Sequence, residues 1–313
     1  MIPRISPLPF HLCQARARNA IPLLLLLFGL VAPVSAQDCF GGGFNDDTAF
    51  PCRFRAPRWS GELASLGANA FLGAVTAGLT RELHGGSFSD GFVKGALGGV
   101  ITYAGKRVAA ERFDGAGFLG RHIAAIGSSA TRNAGADVAV LGRITLPLGP
   151  VWLDVYRGDG GRVTARVDPA ALGWIVYGIA ASELEFDAGG SLSSGGALFR
   201  TRGKLLSFGD DSVHAAGVTN AGVVYIAGVE AFGPERERRT DAHERIHVLQ
   251  QDQLAILWTA PFGEWAMRKA SVPAPFAAHV AVNFSTEIMR LFAPLFDTHE
   301  DRPWELESIF HAR

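Results

Sequence analysis

A change of texture near residue 136 restricts this chain more than any other feature. From Trp59 to about Arg132, Ala, Gly and large apolar residues dominate, with few β-branched clusters. Helices are expected over about 59–83, 88–112 and 116–131, broken at Gly85-Gly86 and Asp114-Gly115. Beyond Asp137 the period becomes two. Arg162-Val163-Thr164-Ala165-Arg166-Val167 alternates strictly, as do Val151, Leu153 and Val155, and Leu184 and Phe186. Val223 to Ala227 is a short apolar run, and turn clusters such as Gly158-Asp159-Gly160-Gly161 and Ser193-Ser194-Gly195-Gly196 separate these segments. After Thr240 helical spacing returns, and no internal repeat is present. The expectation is an α+β chain: a Gly/Ala-rich helical segment over 59–135, an antiparallel β region of six or seven strands over 136–232, and a helical region over 240–313. The run Glu235-Arg236-Glu237-Arg238-Arg239 mixes both signs and reads as a solvated linker.

Within the first segment Gly91, Gly95 and Gly99 recur every fourth residue and share one helix face, which permits close helix contact. Arg81, Glu82, Asp90, Lys94, Lys106 and Arg107 are expected to leave neither stretch long enough to span a bilayer. Tight helix packing is the first reading, and a hairpin loosely associated with a membrane through residues 59–112 is the second.

The N-terminus carries Arg4, Arg16 and Arg18, then an apolar run from Ile21 to Ala32, then Pro33-Val34-Ser35-Ala36 before Gln37. This order matches the three regions of a secretory signal peptide over residues 1–36. The expected location is therefore periplasmic, cell-envelope or extracellular. Removing the leader removes Cys13 and leaves Cys39 and Cys52 in the Gly-rich stretch 37–58. In an oxidising compartment this even pair reads as a disulfide, closing a loop of about 14 residues worth about 3 kcal/mol. About 277 residues then remain, enough for one large domain or two small ones. The formal net charge is −1 and basic residues are scattered, so a nucleic-acid partner is not expected.

One motif carries chemistry, His243-Glu244-Arg245-Ile246-His247. Residues four apart on a helix project from one face, and two imidazoles so placed can share a tetrahedral zinc ion. Glu244, beside the first ligand, can reach a metal-bound water as a general base without ligating. Thr240 or Asp241 is expected to cap this helix, Leu249, Leu254, Ile256 and Leu257 to supply its apolar face, and Gln250 to line the same cleft. A Gly-x-Ser-x-Gly elbow is absent, and the Gly-Gly pairs lack phosphate-loop spacing.

At these residues the chain resembles the zincin metallopeptidases. Gln250 and Gln253 stand where metzincins carry Gly and a third His, so the resemblance points to the gluzincin pattern, in which a Glu from a later helix is the third ligand. The tail Arg302-Pro303-Trp304-Glu305-Leu306-Glu307-Ser308 looks like the Glu-x-x-small-residue element of several zincin families. The resemblance then implies Glu305 as ligand and Ser308 as the small residue. Glu305 lies 58 residues after His247, further than in compact gluzincins. Glu287, Glu307 and Glu264 are its rivals, and His279, His299 and His311 receive no role. The implied activity is Zn2+-dependent hydrolysis of a peptide or protein substrate, with Glu244 moving the proton. The alternative is a secreted or envelope protein that keeps the metal site for structure or binding alone.

Overall fold

Glycine sets how closely the first helices approach. A computed structural model describes residues 58–312 apart from 159, 202–205, 208–213, 216, 229, 231–232 and 294–301. The leader, Cys39 and Cys52 lie outside the described residues. Helices α1 (Arg58–Leu83), α2 (Phe88–Ala109) and α3 (Ala116–Gly135) form one layer, with α2 between the other two. A Cβ on Gly99 would fall 2.1 Å from the Asn69 carbonyl oxygen, and one on Gly105 would fall 2.3 Å from the Ala124 nitrogen. No larger residue fits at either point without moving backbone. The glycine face of α2 is thus buried on both sides, while Val93, Leu97 and Val100 are exposed.

The expectation that neither stretch can span is corrected for α1. Its residues Gly61–Leu83 are long and apolar enough to cross a membrane by length and composition, with a third of that window buried inside the fold. Arg81 and Glu82 fall in the last turn of the helix and so do not interrupt the apolar part.

Strands β1 (Arg143–Leu148), β2 (Val151–Tyr156) and β3 (Arg162–Val167) make an antiparallel meander. Its inner face seats Trp152, 1% exposed, against Ala125, Ile256, Ala260 and Ala281. The region that alternation marks as sheet also holds two helices, α4 (Pro169–Ala180) and α5 (Ala188–Ser194). Each starts at an aspartate whose carboxylate accepts backbone N–H groups: Asp168 from Ala170 and Ala171, Asp187 from Gly190. Strands β4 (Leu184–Phe186), β5 (Leu198–Thr201), β8 (Gly217–Asn220) and β9 (Val223–Ala227) form a sheet in the order β4-β5-β9-β8. Strands β6 (Leu206–Ser207) and β7 (His214–Ala215) pair as a separate short ribbon. The sheet is mixed rather than purely antiparallel, because β5 and β9 run parallel. Strand β9 lies in its interior. Val224 and Ile226 face Ala109, Ala124, Ile246 and Leu249, whereas Val223 and Tyr225 face Phe199 and the helix carrying Trp174. Burial on both faces explains why its sequence is continuously apolar.

Helix α6 (Pro234–Leu254) begins well before the expected cap at Thr240 or Asp241. The stretch read as a linker is its first two turns. Pro234 occupies the first turn, where a missing N–H costs nothing, and Glu235 pairs with Arg238 at 2.8 Å and Arg239 at 3.1 Å. A π-helical segment, Ala255–Thr259, joins α6 to α7 (Ala260–Lys269). There Ala260 N–H reaches Ala255 O, and Pro261, which has no N–H, follows immediately. Helices α8 (Ala274–Ala277), α9 (Ser285–Phe292) and α10 (Pro303–His311) complete the described chain, and α10 packs on α6.

Candidate metal centre

His243 and His247 project from one face of α6 toward the first turn of α10. His247 Nε2 lies 3.0 Å from His243 Nε2 and 3.1 Å from Glu305 Oε2, and His243 Nε2 lies 3.2 Å from the same oxygen. The His243, His247 and Glu305 side chains are 21%, 9% and 6% exposed, so the cluster opens to solvent on the His243 side. Ser308, fully buried one turn beyond Glu305, explains the small residue at that spacing. Its Oγ donates to Glu305 O at 2.9 Å and lies 3.5 Å from both imidazole Nε2 atoms. A larger side chain would enter the space of the two rings.

The proton on His247 can be located from its neighbours. Gln250 Nε2 donates to Trp304 O and to Glu307 Oε2, each at 2.9 Å, so Gln250 Oε1 is the atom 2.8 Å from His247 Nδ1. An amide oxygen only accepts, hence Nδ1 carries hydrogen and the neutral ring presents a bare Nε2 lone pair to the cluster. Glu305 Oε2 brings another lone pair. Such a group of acceptor atoms coheres only around a positive centre, which can be a proton or a cation. Without a cation the ring takes the proton. Burial would lower the His247 pKa, but the Glu305 and Glu244 carboxylates and the Gln250 oxygen carry it up to about 9. Two imidazoles and a carboxylate are a donor set that suits zinc, with a further position left for water or substrate.

Glu244 is 4% exposed and stands outside the three-residue donor group. Its Oε2 accepts the Thr219 hydroxyl of β8 at 2.7 Å. A Cβ on Gly217 would fall 2.6 Å from Glu244 Oε1, so only glycine lets β8 pass this close beside the carboxylate.

The rival carboxylates are engaged elsewhere or turned outward. Glu264, on α7, accepts from Arg143 and Arg166, each at 2.9 Å. Glu287 is exposed on α9. Glu307 is ion-paired to Lys106 at 2.8 Å. His279 Nδ1 lies 3.0 Å from Ala165 O, His311 is buried, and His299 lies outside the described residues. Sequence reasoning missed Gly217, Thr219 and Lys106. Only Lys106 left a trace there, as one of the charges, beside Arg107, that interrupt the apolar stretch. Comparisons with protein-family models, curated proteins and solved structures gave no match.

Proposed function

We propose that the chain is an exported zinc-dependent metallopeptidase, similar to the gluzincins, acting on peptide or protein substrates outside the cytoplasm. The observation that carries this reading is the convergence of His243 Nε2, His247 Nε2 and Glu305 Oε2 within 4.8 Å of one another. When bound there, zinc supplies Lewis-acid polarisation of a carbonyl and a water of lowered pKa. The chain's own residues do the rest. His243, His247 and Glu305 hold the metal. Glu244, steadied by Thr219, takes the proton from the attacking water and delivers it to the leaving nitrogen.

The deciding experiment compares wild type with Glu244→Gln. Both should hold one zinc per chain, and only wild type should cleave an unfolded protein or peptide library, because general-base catalysis is worth about 10²–10⁴ in rate. His243→Ala and His247→Ala should lose the metal. Wild type that stays metal-free after reconstitution would sink the proposal.

A second reading, a metal that serves structure alone, draws on the same geometry, since the cluster ties α10 to α6. No cleavage by zinc-loaded wild type would favour it, whereas equal cleavage by wild type and Glu244→Gln would remove Glu244 from the mechanism. Export is checked separately, by an intact mass that begins at Gln37 and lacks two hydrogens for a Cys39–Cys52 bridge.

A further inference from the structure

Gln250 can hold His247 in the ligating tautomer only while its own amide is kept from turning over. Trp304 O and Glu307 Oε2 fix its nitrogen side. Glu307 is in turn fixed from the far layer. On α2, Lys106, 2% exposed, reaches both carboxylate oxygens at 3.0 and 2.8 Å and Asn69 Oδ1 at 2.9 Å. On α1, Asn69 Nδ2 donates to Glu307 Oε1 at 2.6 Å. The chain Asn69/Lys106, Glu307, Gln250, His247 therefore crosses from the glycine-packed helices to the metal centre without a gap.

We propose that Glu307, anchored by Lys106 and Asn69, is a positioning residue for the metal centre: it orients Gln250, which keeps the proton on His247 Nδ1 and leaves Nε2 free to ligate. This rests on the zinc reading above. Without the Glu307 acceptor Trp304 O alone holds the Gln250 nitrogen, and the amide is freer to turn its NH2 toward His247. Nδ1 would then have to become the acceptor and Nε2 would carry the proton, which removes a ligand. The α1–α2 layer is on this account part of the metal centre, although it contributes no ligand.

The test uses the mature full chain and reads zinc affinity by chelator competition, with the His247 ring proton followed by NMR in the zinc-loaded protein. Gln250→Met should weaken zinc binding about 10- to 100-fold and abolish the slowly exchanging Nδ1–H signal. Glu307→Ala alone would strand a buried lysine, so Lys106→Met/Glu307→Gln is used, which removes both charges together. This pair should give a smaller loss of affinity than Gln250→Met and a faster-exchanging Nδ1–H. On the Gln250→Met background it should cost nothing further, because Glu307 acts through Gln250. Wild-type affinity in Lys106→Met/Glu307→Gln, or losses that add on the Gln250→Met background, would overturn the inference and leave the zinc site standing. A wild type that binds no zinc would overturn both.

Discussion

Gly217 and Thr219 adjoin Glu244 from β8, and neither belongs to the donor cluster. Gly217→Ala would put a methyl group 2.6 Å from Glu244 Oε1 and 2.7 Å from the Thr240 methyl, so the carboxylate must shift. Zinc content should stay at the wild-type level while turnover falls. Equal turnover at equal zinc content would show that the position of Glu244 does not matter. His311 offers a second residue-scale test. It is 4% exposed, its ring lies beside Tyr103 and Phe310, and neither ring nitrogen has a partner among the described residues. Burial, with Lys106 and Arg107 nearby, lowers its pKa to about 4 despite the opposing pull of Glu307. The folded state thus holds the ring neutral while the unfolded chain protonates it near pH 6.5. Its contribution is fully present above about 6.5 and is lost as pH falls toward 4, with a span on the order of 3 kcal/mol. In urea unfolding, His311→Phe should flatten the stability profile between pH 6.5 and 4 relative to wild type. An unchanged slope would place the acid sensitivity elsewhere.

At the scale of elements, polar side chains link α6 and α10: the three donors, Ser308, and Gln250 with Glu307. A metal bound there stabilises the folded state over the unfolded one by mass action. Free zinc at 100 times its dissociation constant should add about 2.7 kcal/mol, and a chelator should remove it. His247→Ala should show no zinc-dependent rise in unfolding temperature. An equal rise in that variant would mean that zinc binds elsewhere. Element boundaries also show where local pattern misleads. Glu235 to Arg239 mixes charges as a solvated linker does, yet the same residues at i,i+3 and i,i+4 spacing stabilise an exposed helix turn. Helix α4 contains a β-like run, Trp174-Ile175-Val176-Tyr177, but Asp168 and Pro169 start a helix ahead of it. Capping wins there because it satisfies two backbone donors that a strand at that point would have to pair elsewhere.

For the whole molecule, the glycine-packed layer is joined to α10 through Lys106, Asn69 and Glu307. Gly99→Ala tests this connection from a distance. Its Cβ would meet the Asn69 carbonyl oxygen at 2.1 Å, forcing α1 and α2 apart at the residue that holds Glu307. A stability loss of about 1–3 kcal/mol is expected in urea unfolding, together with weaker zinc binding. Lost stability with unchanged zinc affinity would separate the layer from the site.

The sequence by itself determined the α+β order, the helical setting of His243 and His247, and the resemblance that singled out Glu305 and Ser308. These depend on spacing along one element, or on a short motif, and period and capping are local properties of a chain. The third donor is a different matter. The resemblance points to Glu305 over Glu264, Glu287 and Glu307, but packing is what gives each its place: two meet cations, one faces solvent, and one meets the histidines. The parallel pairing of β5 with β9, the approach of Gly217 to Glu244 and the reach of Lys106 to Glu307 likewise join residues far apart in the chain. No local pattern encodes such contacts. They arise when helices and sheet bury their apolar faces together, and the buried charges must then find partners among whatever that burial brings near.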